Sequence, residues 1–154
     1  MGVATLRQQL ADCRSVYLDT MVFIYLLEAH PRYADLASAT LEMVEQGAII
    51  GLTSTLTIAE LLTAPAQAGD DTALRDYELY LTNFPHLTIL PLTIATARRS
   101  ARVRAKTKLK MPDAIQIATA IGSGADVIVG NDKRWRGRTG SLPLLLLDDY
   151  LPAP

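Results

Sequence analysis

Apolar residues along this chain follow two spacings that alternate from one end to the other. Short continuous runs recur at Val16–Leu18, Ala48–Leu52, Leu87–Leu90, Asp126–Val129 and Leu144–Leu147. Runs of this kind, without polar alternation, suit strands inside a parallel sheet covered on both faces. Between them, apolar positions return every three or four residues, the period of a helix with one buried face. Residues 1–14 predict a short helical extension through Val3, Leu6 and Leu10. The next helix runs from Thr20 to about Ala29, where His30 and Pro31 break it, because a residue before proline avoids the helical region. Pro31 suits the first turn of a third helix, carried by Leu36, Ala37, Thr40, Leu41 and Val44 and ended by Gly47. Thr53 and Ser54 are cap candidates for a helix through Leu56, Ala59, Leu62 and Thr63 that stops at Pro65. Gly69, Asp70 and Asp71 open another, with Leu74, Tyr77, Leu81 and Phe84 on one face and Pro85 at its end. A long helix over about Thr93–Lys108 precedes one that begins at Pro112. Strands alternating with helices predict an α/β protein: one three-layer α/β/α domain over residues 1–154, with a central parallel sheet of four to five strands. Asp148–Pro152 reads as a tail packed on that domain.

Composition narrows the setting. No apolar run approaches the roughly 20 residues that span a bilayer, so no membrane association is expected. The first residues lack the apolar core of a signal peptide. Cys13 is alone and cannot form an internal disulfide, which points to a reducing, cytoplasmic compartment. The net charge of −1 hides an asymmetry: 4 basic and 11 acidic side chains precede Arg98, while 11 basic and 5 acidic follow from there. Such a split marks either a polyanion-binding face or a solvated helix surface.

Four acids draw attention by position. Asp19 ends the first strand, at the carboxyl edge where open α/β sheets place their sites. Glu60 lies one to two turns into the helix after the second strand. Asp113 follows Pro112 in the first turn of its helix, whose apolar face of Ala114, Ile117, Ala118 and Ile121 is expected against the sheet. Asp132 comes three residues after Val129. Each has an ordinary alternative: Asp19 or Thr20 as a helix cap, Asp113 as a favourable charge at a helix N-terminus, Asp132 as turn chemistry, Glu60 as a solvated helix residue. Their shared edge is what singles them out. Several carboxylates without bases repel one another unless cations compensate. An all-oxygen set suits Mg²⁺ or Mn²⁺ rather than zinc, which favours Cys and His. No nucleophile motif competes, and His30 and His86 read as helix-end residues.

The chain resembles the PIN-domain ribonucleases, in particular the VapC-like toxins of prokaryotic type II toxin–antitoxin pairs. The resemblance is carried, in order, by Leu18-Asp-Thr-Met-Val-Phe-Ile-Tyr25, Thr53-Ser-Thr-Leu-Thr-Ile-Ala-Glu-Leu-Leu62, Pro112-Asp-Ala-Ile-Gln-Ile-Ala-Thr-Ala120 and Val127-Ile-Val-Gly-Asn-Asp-Lys-Arg134. It implies metal-binding, catalytic acids at Asp19, Glu60, Asp113 and Asp132, holding one or two Mg²⁺ or Mn²⁺ ions. Thr20 would order the first carboxylate, and Asn131 or water would replace the hydroxyl that Gly130 lacks near the metal. Two positions depart from the family pattern: Met21, where Asn is usual, and Gly130, where Thr or Ser is common. The implied activity is hydrolysis of RNA phosphodiesters by an endoribonuclease that acts as a toxin. Its implied partners are an RNA substrate, a small cognate antitoxin and a second copy in a homodimer. Arg98, Arg102 and Lys106 on one helical stripe, with Lys133 and Arg134 after Asp132, are candidates to track the RNA backbone. Trp135 reads as packing.

Two other functions remain open from the sequence. A PIN domain that binds RNA or protein without cutting is suggested by Met21 and Gly130 and opposed by the four acids. A phosphohydrolase of the haloacid dehalogenase type also places Asp after strand one, but needs a second Asp where Met21 stands.

Overall fold

A strand flanked on both sides by other strands, and roofed on both faces by helices, has no polar direction left. Ser15–Leu18 (β1) meets this description: Val16, Tyr17 and Leu18 are fully buried. The computed structural model describes residues 2–152. Met1, Ala153 and Pro154, at the ends of the expected domain, lie outside the described residues. β1 pairs in parallel with Ile50–Ser54 (β2) and with Val127–Gly130 (β4); Val16 stands beside Gly51 and Val127. Leu87–Leu90 (β3) pairs with β2, and Leu144–Leu146 (β5) with β4, giving one five-stranded parallel sheet in the order β3-β2-β1-β4-β5. The chain builds outwards from β1 to β3, then returns to add β4 and β5 on the other side. The reversal falls between β1 and β4, and a ligand crevice is expected at the carboxyl end of such a switch point.

The pleat sends successive side chains to opposite faces. Val16 and Leu18 join a core with Val3–Ala11 (α1), Thr20–Leu27 (α2) and Ala34–Glu45 (α3), to which Leu61, Leu81, Leu147 and Tyr150 add. Tyr17 enters a second core on the opposite face with Leu109, Ile117, Ala120, Ile128 and Trp135. That layer consists of Ile94–Thr107 (α6) and Met111–Ser123 (α7), which pack closely along each other. Thr55–Gln67 (α4) and Asp71–Thr82 (α5) complete the seven helices of the described residues. The three-layer α/β/α expectation is met, with all five strands.

Differences from the sequence expectation have local causes. Pro31 lies in the turn ahead of α3, which starts at Ala34. The second strand starts at Ile50 and runs through Thr53; Ser54 alone caps α4, its hydroxyl accepting from the Leu56 amide at 3.0 Å. α4 does not stop at Pro65. It runs to Gln67, because the Pro65 carbonyl accepts from the Asp70 amide (2.9 Å) and Ala66 from Gly69 (3.2 Å), the closing pair of a Schellman end with Gly69 at φ 66°. Phe84 follows α5 rather than belonging to it, yet remains buried. Leu147 leaves β5 to begin a 3-10 turn, Leu147–Tyr150, whose buried Leu147 and Tyr150 seat the tail as expected.

Candidate active site

Asp19 directly follows β1, its amide donating to the Val129 carbonyl of β4 at 3.0 Å. The residue is 6 % exposed, and no lysine or arginine pairs with it among the described residues. Burial, then the negative charge of Glu60, pushes its carboxyl up to about 7; the amides of Thr20 and Met21 oppose this and Asp113 adds to it. Glu60 and Asp113 thus act electrostatically on Asp19 at the switch point. Gly130 makes room for the group: a Cβ there would stand 3.3 Å from Asp19 Cβ and 3.6 Å from Oδ2. A serine or threonine would have to push the carboxylate aside by a few tenths of an ångström.

Asp132 is held differently. It caps the short 3-10 turn Lys133–Trp135, and Arg134 Nε reaches its Oδ1 and Oδ2 at 3.0 and 3.1 Å. The same guanidinium touches Asp113 Oδ2 at 3.4 Å. Arg134 therefore bridges two of the four acids, and holds the Asp132 carboxyl below the usual carboxylate range.

Glu60 owes its position to a buried polar network. Gln116 of α7, 2 % exposed, shares its two N–H groups among Glu60 Oε1 (2.8 Å), Thr20 Oγ1 (3.1 Å) and Thr57 Oγ1 (3.1 Å). Its Oε1 accepts from the Tyr17 hydroxyl. Thr20 donates to Glu60 Oε1 at 3.0 Å. The Thr20 hydroxyl thus orders Glu60 while its amide reaches Asp19, and Thr20 opens α2 while Asp19 supplies the capping backbone. Asn131 faces other work: it donates to the Tyr25 hydroxyl (3.1 Å) and accepts from the Asp148 amide (2.8 Å). Both ends of its amide thus help tie the tail to α2.

Gln116 is the residue that helical spacing missed. Ile121 was expected on the buried face of α7 and is 40 % exposed, while polar Gln116 turns inwards. The signal lay in Tyr17, whose hydroxyl in a fully buried strand requires a partner. Among the basic candidates, Lys133 is paired with Asp148 at 2.6 Å and Arg134 with the acids. Arg102 and Lys106 line a groove beside α6 that Arg98 does not enter. Trp135 is buried, as expected of packing.

The donor set suits a hard divalent cation in kind: oxygens only, a buried carboxylate without a counter-charge, and two further acids within electrostatic reach. Among the described residues, however, no three His, Cys, Asp or Glu side chains stand close enough to share one ion. Glu60 is held back by Thr20 and Gln116, and Asp132 by Arg134. Among the described residues no helix is long and apolar enough to cross a membrane.

Comparison with known proteins agrees with this architecture. The fold is similar to VapBC2 from Rickettsia felis, solved with a DNA fragment from their promoter (TM-score 0.68, 18 % identity, 85 % of this chain and 97 % of that one). It is also similar to a toxin–antitoxin complex from Klebsiella pneumoniae (TM-score 0.66, 21 %, 86 % and 98 %) and to FitAcB from Neisseria gonorrhoeae (TM-score 0.64, 20 %, 86 % and 97 %). These likenesses concern the fold. No curated protein matches by sequence. The PIN domain family matches residues 16–139, a span that contains β1 beyond Ser15, all of β2 to β4 and all four acids: the chain belongs to the PIN domain family.

Proposed function

We propose that this chain is a divalent-metal-dependent endoribonuclease and the toxin of a toxin–antitoxin pair. The observation that carries the reading is Asp19: a buried carboxylate without a cation, at the switch point of the sheet, next to two more acids. Isolated burial of such charge is costly, and a protein keeps it where a cation is to be bound. Asp19, Glu60, Asp113 and Asp132 would hold Mg²⁺ or Mn²⁺ once the acids draw closer together than they stand here, Asp132 after Arg134 releases it. A bound ion of this kind neutralises charge on the phosphodiester and makes a water nucleophilic at neutral pH. The chain's own part is to place the groups. Gln116 and Thr20 fix Glu60 at Oε1 and leave Oε2 without a hydrogen bond among the described residues, free to take a proton from water. The apolar strands behind Asp19 keep the carboxylate from bulk solvent.

The toxin role is supported by the neighbours in fold, solved in toxin–antitoxin complexes. It carries with it a small antitoxin as partner, a homodimer and a cytoplasmic location. A non-catalytic PIN domain is the second reading, favoured by Arg134, which already compensates Asp113 and Asp132. Incubation of RNA with Mg²⁺ or Mn²⁺ separates the two. Cleavage that disappears with chelator and with Asp19→Asn supports the nuclease; equal behaviour of wild type and Asp19→Asn removes it.

A further inference from the structure

The basic half of the sequence is not spread evenly over the surface. Arg99, Arg102 and Lys106 on α6, Lys108 just after it, and Arg138 from the loop beyond the 3-10 turn line one groove of about 880 Å³. No aspartate or glutamate lines it, and none of these five cations forms an ion pair among the described residues. By contrast Lys133, Arg134 and Arg136, close by in sequence, are each paired with an acid. Unpaired like charges facing one cleft repel each other, and the repulsion persists unless an anion enters.

The groove is also built to keep one of its cations in place. Arg99 lies across Gly122 of α7: a Cβ at that glycine would meet Arg99 Nη1 at 2.1 Å. Only a residue without a side chain lets the guanidinium rest against the helix backbone. From Arg99 to Lys106 the groove follows α6 for about 10 Å, too long for a single anion to satisfy every cation. Its wall includes Val103 and exposed Ile121, apolar surface suited to ribose and base edges rather than to a solvated salt. At its far end, Lys108 precedes buried Leu109, whose carbonyl is held by Arg104 Nη1 at 2.9 Å. The chain then enters α7, with Asp113 in its first turn.

We propose that this groove, formed by Arg99, Arg102, Lys106, Lys108 and Arg138, binds the phosphate backbone of single-stranded RNA and guides it to the acids at the start of α7. The proposal rests on the nuclease reading for the choice of RNA, and it replaces Arg98, Lys133 and Arg134 as backbone contacts with Arg99, Lys108 and Arg138. With no aromatic side chain lining the groove, binding is set by charge and tolerates different sequences.

The test is fluorescence anisotropy of a labelled single-stranded RNA of mixed sequence, with the full chain in chelator so that no cleavage occurs. Arg102→Glu with Lys106→Glu is expected to weaken binding tenfold or more and to flatten the dependence of log affinity on log salt by about 1.4. Gly122→Leu, which displaces Arg99 and leaves the charge unchanged, is expected to weaken it about threefold. Arg75→Glu, a charge reversal on α5 far along the chain, is expected to bind as wild type does. Affinity within twofold of wild type for the double variant overturns the proposal, as does equal loss from Arg75→Glu or equal affinity for a polyglutamate peptide. Cleavage is read separately: a chain that binds RNA through this groove and never cuts supports the groove and removes the nuclease.

Discussion

Replacing Gln116 by leucine tests whether the buried network is what holds the site together. Leucine has nearly the same volume, so no cavity term enters. The change strands the Tyr17 hydroxyl, whose side chain is fully buried and whose partner is Gln116 Oε1. An unsatisfied buried donor costs about 1–3 kcal/mol. Thr20 and Thr57 remain within 3.2 Å of each other and lose less. Glu60 is exposed enough to recover water. The expected loss is therefore about 2 kcal/mol, a fall in Tm of roughly 4–8 °C for a chain of this size. Adding Tyr17→Phe removes the stranded hydroxyl, so the double variant should recover about 1 kcal/mol relative to Gln116→Leu alone. Urea unfolding with unchanged m-value is the assay. A loss below 0.5 kcal/mol for Gln116→Leu, or strict additivity in the cycle, refutes the reasoning.

Asp19 and Arg134 give two further expectations. The Asp19 carboxyl lies at about 7 in the folded chain against 3.8 as its ordinary value; between these, the folded state keeps a proton the unfolded state has lost, so metal-free stability falls as pH rises from about 4 to 7. Asp19→Asn should remove that part of the slope and stabilise the metal-free protein at pH 8 by roughly 2–4 kcal/mol, with no gain at pH 4; thermal melts at the two pH values in chelator check this, and equal gains at both contradict it. Arg134→Ala frees Asp113 and Asp132 from their shared guanidinium, and should tighten Mn²⁺ binding about three- to tenfold by calorimetry. Unchanged or weaker binding would show that Arg134 does not compete with the ion.

Some features of the fold depend on neighbouring residues alone, and others on partners distant in sequence. The strand cores at Val16–Leu18 and Val127–Val129 are apolar on both faces, and that property is local, so the sheet and its layers could be read. The edge shared by Asp19, Glu60 and Asp132 follows from parallel pairing alone. Asp113 needed α7 to pack against the sheet, which its apolar residues announced. What spacing could not show is which partner a polar side chain takes in space. The Thr20 hydroxyl was expected on Asp19 and meets Glu60 because Gln116, 96 positions away, brings that carboxylate within reach. Lys133 and Arg134 looked free for RNA, but Asp148 of the tail holds the first, and Asp132 beside it with Asp113 of α7 holds the second. Pro65 looked like a stop, and the carbonyl contacts to Gly69 and Asp70 carry the helix past it.

Asp19 is the buried carboxylate around which a divalent ion is proposed to bind. Titration of Mn²⁺ into wild type and Asp19→Asn by isothermal calorimetry at pH 8 asks this directly. A saturable isotherm is expected for wild type and is lost, or weakened at least tenfold, in the variant. The same isotherm for both proteins, or none for wild type, would contradict it.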